Sequence, residues 1–218
     1  AMDRYAVSLT SSTSTSSRRR PTGVDRLSSG VGKRRRRLAG ESMSLPETAS
    51  RPSPAVGHEG PTLSTQGRER AAGLMRVNHT GEVCAQALYQ GQALAARSDE
   101  TREKLLSAAQ EEADHLAWCE ARLTELDAEP SRLNPLFYAA SFALGAATAM
   151  AGDKVSLGFV HATEERVASH LRSHLKDLPG EDRKSQLILQ QMLNDEERHG
   201  AEALEHGGEE FPRPVKDV

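Results

Sequence analysis

The sequence predicts an all-α protein on the strength of three observations. Only 4% of the 218 residues are aromatic, whereas strands favour aromatic and β-branched side chains. Glycine and proline lie mostly outside the segments with a periodic apolar pattern, where they mark breaks between elements. From about residue 63 onward, apolar side chains recur at spacings of three and four residues, which is typical of amphipathic helices.

The first sixty residues lack this pattern. They are rich in Ser, Thr, Arg, Pro and Gly, with too few apolar side chains to offset the entropy lost on folding. We expect residues 1–60 to form a disordered tail. A solvated basic tail, a transit peptide and residues upstream of a functional start at Met43 remain open as interpretations. The run GKRRRRLAG has no aromatic neighbours, so we expect no nucleic-acid partner.

Five helical segments are expected in residues 61–218, which we treat as one domain. Their approximate bounds are 64–96, 99–127, 134–151, 153–178 and 181–205, with breaks at Pro130, Gly152, Pro179 and Gly207. The connections are short, so consecutive helices should pack antiparallel in a bundle. The apolar stretch over residues 136–152 is near the lower length limit for a membrane span, and we expect a buried or membrane-touching helix there.

Two of these helices place a glutamate and a histidine on an apolar stripe. In the second, LSAAQEEADHLAWCE, the residues Glu112 and His115 continue the stripe that begins at Leu105. The last helix repeats this Glu-x-x-His motif with Glu196 and His199. Residues three positions apart project from one helix face, so each motif directs an oxygen and a nitrogen ligand the same way.

Each motif is preceded by a helix with one further inward-facing glutamate, Glu82 or Glu164, at nearly equal separations. The similar spacing predicts two related helix hairpins. Four glutamates and two histidines from four helices can surround two metal ions, as in the di-iron carboxylate proteins of the ferritin-like fold. Such ligands suit iron or manganese, and two divalent cations would balance four buried carboxylates.

A single Glu-x-x-His motif usually lies on a solvated helix face, but two motifs in phase with apolar stripes make that explanation poor. We expect the neighbouring acids Glu111, Glu165 and Glu197 to face solvent, because they fall outside the motif register. Cys84 and Cys119 lack metal-finger spacing. We expect them to be reduced core residues rather than ligands.

A resemblance to the demethoxyubiquinone hydroxylases, di-iron enzymes of ubiquinone biosynthesis, rests on five stretches: LMRVNHTGEVCAQALYQGQ, EEADHLAWCEARL, FALGAATAMAGDK, GFVHATEERVASHL and MLNDEERHGAEAL. It extends from about residue 70 to about residue 214 and implies a ferritin-like four-helix bundle with an additional apolar helix. It also implies a ligand set: Glu82 on one iron, Glu164 on the other, Glu112 and Glu196 as bridges, and His115 and His199 as nitrogen ligands. His170 matches a family histidine near the metal and the substrate.

The resemblance implies an O2-dependent monooxygenase that hydroxylates the ring of a polyprenyl demethoxy-quinol or quinone. Two irons per chain would be the cofactors, and NADH or the quinol itself the external reductant. A peripheral site on the cytoplasmic face of a bacterial plasma membrane is expected, with the matrix side of a mitochondrial inner membrane as the alternative. Other ubiquinone-biosynthesis proteins and a second copy of the chain remain open as partners.

Members of this family usually continue beyond the last Glu-x-x-His helix into a further apolar or amphipathic segment. This chain ends at Val218 after EEFPRPVKDV, so we expect its C-terminal segment to be truncated.

Two other function classes remain open. A ferritin-like or rubrerythrin-like iron oxidase or peroxide-reducing protein would share the ligands, but it has little reason to carry the apolar residues 136–160. A quinone-carrying or membrane-scaffold bundle needs an apolar pocket and no buried carboxylates.

The apolar segment also carries a prediction of its own. We expect residues 136–160 to deliver the substrate from a membrane, with an apolar face formed by Leu136, Phe137, Phe142, Leu144 and Met150. The alternative is that this helix completes the bundle core.

Overall fold

The computed structural model describes residues 49–212, and within that range it contains five helices and no strand. In chain order they are α1 (Thr65–Ala95), α2 (Asp99–Glu125), α3 (Asn134–Ala151), α4 (Asp153–Asp177) and α5 (Arg183–Glu205). The all-α prediction is confirmed, and every helix begins and ends within two residues of its predicted bounds. Side chains cap three of the N-termini, because Ser64, Ser98 and Asp182 each accept a hydrogen bond from a first-turn backbone N–H.

Helices α1, α2, α4 and α5 form the four-helix bundle, and α3 packs mainly against the outer side of α1. The apolar core consists of two clusters at different heights along the bundle. The larger includes Met75, Leu123 and Leu189, and the smaller includes Tyr89 and Leu105. In each of the four helices, the predicted ligands lie between residues of the two clusters. The polar residues therefore form a layer across the middle of the core.

Helix α3 touches α1 through backbone rather than through large side chains. A Cβ atom at Gly91 would lie 2.1 Å from the carbonyl oxygen of Phe142, and one at Gly145 would lie 2.2 Å from that of Leu88. Only glycine permits so close an approach. Helix α3 buries just Gly145 and Ala149, so it adds little to the bundle core.

The rest of α3 is open to solvent although its sequence is apolar. The most exposed of its large side chains are Met150 at 71% and Leu136 at 66%, followed by Leu144 and Phe137. Phe142, also predicted on this face, is half-buried and stacks against Tyr138. No helix in residues 49–212 is both long enough and apolar enough to cross a membrane.

The segment before α1 is described from residue 49. Residues 1–48 of the predicted tail lie outside the described residues. Residues 49–60 are non-helical, and Arg51 forms ion pairs with Asp114 on α2 and Asp195 on α5. The part of the chain packed on the bundle thus begins before the expected boundary at residue 60, because charged contacts hold a segment that has no apolar periodicity.

Candidate metal centre

Four helices bring the six predicted ligands together inside the bundle. All six are buried, with no more than 5% of any residue exposed. Helix α1 contributes Glu82, α2 contributes Glu112 and His115, α4 contributes Glu164, and α5 contributes Glu196 and His199. We refer to these as the six-residue cluster.

The cluster divides into two groups that share Glu112 and Glu196. In each group, one potential ligand atom per residue lies within 4.8 Å of the others. The His115 group contains Glu82, Glu112, His115 and Glu196, and the His199 group contains Glu112, Glu164, Glu196 and His199. Two shared carboxylates between two sets of ligands give the arrangement expected of two adjacent metal ions with bridging carboxylates.

Both imidazoles turn Nδ1 toward the shared carboxylates. His115 Nδ1 lies 3.1 Å from Glu112 Oε2 and 3.2 Å from Glu196 Oε1. His199 Nδ1 lies 3.3 Å from Glu112 Oε1 and 3.5 Å from Glu196 Oε2. Each shared glutamate thus directs one oxygen toward each histidine, a geometry in which one carboxylate could contact two metal ions.

The unpaired oxygens of the cluster provide a test of whether a metal fits. Within residues 49–212, both carboxylate oxygens of Glu196 and one oxygen each of Glu82, Glu112 and Glu164 are buried and make no hydrogen bond. Buried polar atoms without partners are costly and rare in native proteins. Oxygen-rich ligands with one imidazole per group suit iron or manganese, so the residues present fit a pair of such ions.

The glutamates that belong to one group only have raised pKa values. Burial raises the pKa of Glu82 and of Glu164 well above 4.5, and the neighbouring carboxylates raise both further. For the shared Glu112 and Glu196, burial also acts upward, but the adjacent histidines prevail and lower both pKa values.

The pKa values of the two histidines move in the direction opposite to the one that burial alone would cause. Burial lowers the pKa of His199, but the neighbouring carboxylates of Glu111, Glu112 and Glu196 outweigh it and raise the pKa to about 12. Burial also acts to lower the pKa of His115, but the charge of Glu112 and the contacts with the other surrounding carboxylates, Asp195 among them, together outweigh it and raise the pKa. These directions favour a metal-free state with two imidazolium ions facing two carboxylates and with protons on the other two glutamates.

A carboxylate from the opposite helix lies behind each histidine. His115 Nε2 is 3.0 Å from Asp195 Oδ2, and His199 Nε2 is 3.6 Å from Glu111 Oε1. Each of these acids immediately precedes the bridging glutamate of its own helix. Such partners commonly hold the orientation and tautomer of a metal-bound imidazole.

The prediction that Glu111 faces solvent is therefore wrong. Its side chain is 25% exposed and pairs with Arg198 at 2.6 Å, and this pairing turns it toward His199. Sequence reasoning also missed Asp195. The available sequence signal was that in both EEADH and DEERH an acidic residue directly precedes the glutamate of the Glu-x-x-His motif. Glu165 and Glu197 are exposed, as predicted.

Tyr89 is a further residue that sequence reasoning missed. It is buried, its hydroxyl donates a hydrogen bond to Glu164 Oε1, and its ring meets that of His199 edge-on at 6.5 Å between centroids. Burial raises its pKa well above 10, so the hydroxyl keeps its proton. Tyr89 follows Glu82 by seven residues, two helical turns along the same face of α1.

Two cavities adjoin the cluster or its helices. One, of about 260 Å³, is lined by Tyr89, Glu111 and His199 among others. The other, of about 400 Å³, lies between α1, α3 and α4, and its wall includes Leu144 and His170.

His170 is not brought into the cluster. It is exposed, and its ring stacks with that of His174 at 6.4 Å between centroids. Its expected role beside the metal stays a prediction. The two cysteines are free, as predicted, and Cys119 is buried against Met192.

The family of the chain follows from comparison with known proteins. A family model described as "Ubiquinone biosynthesis protein COQ7" matches residues 69–217, which include the whole six-residue cluster. The chain belongs to the COQ7 family. The resemblance inferred from the five sequence stretches is thereby confirmed, as is the ferritin-like helical bundle.

Three curated relatives are similar to this chain over most of their length. A 3-demethoxyubiquinol 3-hydroxylase of Pseudomonas fluorescens is 58% identical over 166 residues, 76% of this chain and 77% of the relative. Another, of Chromohalobacter salexigens, is 57% identical over 169 residues, 78% of this chain and 79% of the relative. A third, of Azotobacter vinelandii, is 58% identical over 166 residues, 76% of this chain and 77% of the relative.

Proposed function

We propose that this protein is a 3-demethoxyubiquinol 3-hydroxylase that uses O2 and two irons to hydroxylate the ring of a polyprenyl demethoxy-quinol or quinone. The observation that carries the proposal is the pair of ligand groups sharing Glu112 and Glu196, in a COQ7 family member whose relatives bear that name. The ferritin-like or rubrerythrin-like alternative receives no such support.

In this proposal the six-residue cluster holds the irons. Glu112 and Glu196, which both groups share, would contribute to both iron positions; Glu82 and His115 would complete one, and Glu164 and His199 the other. When bound, the irons supply the electrons and open coordination positions that the activation of dioxygen requires. The protein contributes a buried layer between two apolar core clusters, which excludes water from the reacting atoms.

Several side chains hold or move protons at defined atoms. Metal ligation requires a neutral imidazole and an ionised carboxylate, and the pKa values of Glu82, Glu164 and both histidines are raised, so metal would compete with protons at these side chains. The Tyr89 hydroxyl donates to Glu164 Oε1, whereas Glu164 Oε2 makes no hydrogen bond. Tyr89 thus orients Glu164 with its unpaired oxygen available to the metal, and it keeps a proton beside the site.

We propose that the substrate enters from a membrane through the cavity between α1, α3 and α4. Leu144 belongs both to the exposed apolar face of α3 and to the wall of this cavity, so the two are continuous. The polyprenyl tail is insoluble in water and can remain in lipid while the ring enters the protein. The bacterial relatives support peripheral binding at the cytoplasmic face of a bacterial plasma membrane. NADH or the quinol itself remains the proposed reductant.

Isotope labelling tests the reaction directly. The full chain, loaded anaerobically with Fe²⁺, is given a short-tailed demethoxy-quinol, NADH and ¹⁸O2, and the product is analysed by mass spectrometry. One ¹⁸O atom in the new ring hydroxyl is expected. Iron oxidation or peroxide consumption without a hydroxylated product would contradict the proposal and favour the iron-oxidase alternative.

A further inference from the structure

Arg51 lies next to the six-residue cluster although it belongs to the segment before the bundle. Its Nη1 lies 2.9 Å from Asp195 Oδ2 and its Nε 2.7 Å from Asp114 Oδ2. Its Nη2 lies 3.4 Å from His115 Nε2. One guanidinium therefore pairs with a buried acid of α2 and a buried acid of α5, and it lies beside the outer nitrogen of a predicted ligand.

The position of Arg51 is held by several contacts. Its guanidinium lies over the indole of Trp118, 4.9 Å from the ring centroid, and Trp118 Nε1 donates to the Arg51 carbonyl at 3.2 Å. The hydroxyl of Ser50 donates to Asp114 Oδ2 at 3.0 Å. Asp114 is fully buried, so these contacts supply the counter-charge and donors that a buried carboxylate needs.

His199 also has a carboxylate and an arginine behind it, but that arginine belongs to a bundle helix. Behind His199 lies Glu111, and Arg198 pairs with Glu111 at 2.6 Å. Arg198 belongs to α5 itself. Arg51 instead comes from a segment without helical structure, and it precedes the residues 69–217 that the family model matches.

We propose that Arg51 is a positioning residue of the His115 group. A neutral imidazole that binds metal through Nδ1 carries its proton on Nε2 and donates it to a neighbouring acceptor. Asp195 is that acceptor for His115, and Arg51 holds Asp195 Oδ2 at the nitrogen. Without the guanidinium, Asp114 and Asp195 Oδ2 lose a cation that lies within 3 Å of each, and Arg198 remains only at the other oxygen of Asp195, 3.3 Å from Oδ1. Asp195 then turns away from Nε2, and His115 is no longer held toward the metal position.

This role predicts that the two metal positions respond unequally to the loss of Arg51. The His115 group depends on Arg51 through Asp195 Oδ2, which lies 2.9 Å from the guanidinium. On the side of His199, Arg51 Nη2 lies 3.6 Å from Glu111 Oε2, but Glu111 also pairs with Arg198 at 2.6 Å and keeps that closer contact. The inference rests on the proposed di-metal function, and the test therefore begins with the unmodified chain.

The experiment is an anaerobic titration of the full metal-free chain with Co²⁺, followed by visible absorption. The wild type is expected to bind two Co²⁺ ions. In Arg51→Gln, one of the two binding steps should weaken by about tenfold and its absorption bands should change, since groups that orient metal ligands contribute on the order of 10–100-fold. The other step should stay within about twofold. Arg51→Lys, which keeps the charge but not the planar fork, should recover part of the loss.

Three further variants make the result decisive. Arg68→Gln is the matched control, because Arg68 also forms an arginine–aspartate ion pair at 2.8 Å, with Asp127, outside the cluster; it should bind Co²⁺ like the wild type. Asp195→Asn keeps the size of the side chain and should reproduce the selective loss even where Arg51→Gln folds poorly. Comparison with Glu164→Ala, which lacks a ligand of the His199 group, identifies the step that Arg51 affects.

Several outcomes would overturn the role of Arg51. The first is unchanged Co²⁺ binding in Arg51→Gln. The second is equal weakening of both binding steps together with a lower melting temperature of the metal-free chain, because a purely structural residue would behave in that way. A wild type that binds no Co²⁺ would instead contradict the proposed di-metal function itself.

Discussion

The four bundle helices and α3 depart from the usual burial pattern in opposite directions. The bundle encloses four glutamates and two histidines that are almost fully buried, although such residues normally stay at the surface. Helix α3 exposes Leu136, Phe137, Leu144 and Met150, although large apolar side chains normally help to fill a core. Each departure costs stability in the isolated chain, and each would be offset by a bound species, metal in the bundle and lipid or quinone at α3.

In this helical protein, the residues proposed to be functional are those that depart from the usual burial pattern. Apart from Tyr89, the residues of the two apolar core clusters follow standard packing rules and have no role in the proposed chemistry. The residues that break those rules lie in the polar layer between the clusters and on the outer face of α3. Changes in these two regions should therefore affect different properties of the protein.

The largest effect is expected from removing a bridging carboxylate. Glu112→Ala or Glu196→Ala takes an oxygen ligand from both groups, so turnover should fall by at least about 100-fold, the upper end of the loss caused by groups that merely orient ligands. Iron per chain, measured by metal analysis, should fall well below two equivalents. The matched control is Glu197→Ala, because Glu197 is exposed and pairs with Arg172 at the surface, where ion pairs contribute little. Two tightly bound irons and full activity in either bridging variant would contradict the assignment.

The next largest effect is expected from charges placed on the exposed apolar face of α3. Leu136→Asp combined with Met150→Asp changes two highly exposed side chains of α3, and each would forfeit about 1.5–3 kcal/mol of burial in lipid. Liposome flotation and turnover of a long-tailed quinone should fall at least about tenfold, while iron content and turnover of a short-tailed quinone persist.

The exposed Leu106 on α2 supplies the control for this experiment, since Leu106→Asp adds one charge away from α3. Equal flotation of the double variant and the wild type would show that α3 does not bind lipid. Loss of folding in the double variant would show that the helix completes the core instead.

A smaller effect is expected at Tyr89. Tyr89→Phe keeps the buried ring but removes the hydrogen bond to Glu164 Oε1, and a hydrogen bond to a charged group contributes about 1.5–3 kcal/mol. Because the six ligands remain, two irons should still bind, and turnover should fall about tenfold with an altered optical spectrum of the iron-loaded protein. A wild-type rate and spectrum would show that the hydroxyl does not orient Glu164.

The smallest effect is a change in melting temperature with pH. The pKa values of Glu82 and Glu164 are raised above 4.5, and that of His199 rises from 6.5 to about 12. Groups with raised pKa values stabilise the fold fully below their unfolded pKa, and that contribution is lost as the pH rises toward their folded pKa. The metal-free protein should therefore lose stability as the pH rises above about 5.

The metal-loaded protein should behave differently, because binding replaces those protons and strengthens as the pH rises. The difference between the two melting temperatures, measured by calorimetry with and without a chelator, should widen by several degrees from about pH 5.5 to about pH 8. Parallel pH profiles of the two forms would argue against a buried metal site.

The bundle and the convergence of the six predicted ligands within it could be predicted because both are encoded by local periodicity. Apolar spacing and the Gly and Pro breaks mark the helices, and the two Glu-x-x-His motifs lie in phase with the apolar stripes. Glu111 and Asp195 could not be placed in the same way, because each lies one residue off its own stripe and reaches the histidine of the other helix. That contact depends on how closely α2 and α5 approach, which periodicity does not specify.

Arg51 was harder still to predict. It lies in a segment with no repeating pattern, and its partners Asp114 and Asp195 are 63 and 144 residues away in the chain. Tyr89 carries a periodic signal, two turns after Glu82, but that signal resembles an ordinary core aromatic residue. The exposure of α3 depended on tertiary packing, because a small-residue apolar helix is equally compatible with a core position and a membrane face.

If α3 lies on a bilayer, the backbone contact at Gly91 and Gly145 would set the distance between the six-residue cluster and the lipid. Helix α1 carries both Glu82 and Gly91, and α3 rests on it without intervening large side chains. If α3 lies on the bilayer, then α1 sits above it at about 8 Å between helix axes, the short end of the usual range. The quinone ring then has to rise by about one helix diameter, roughly 10 Å, while the first isoprene units of the tail span that distance and the rest stays dissolved in the membrane.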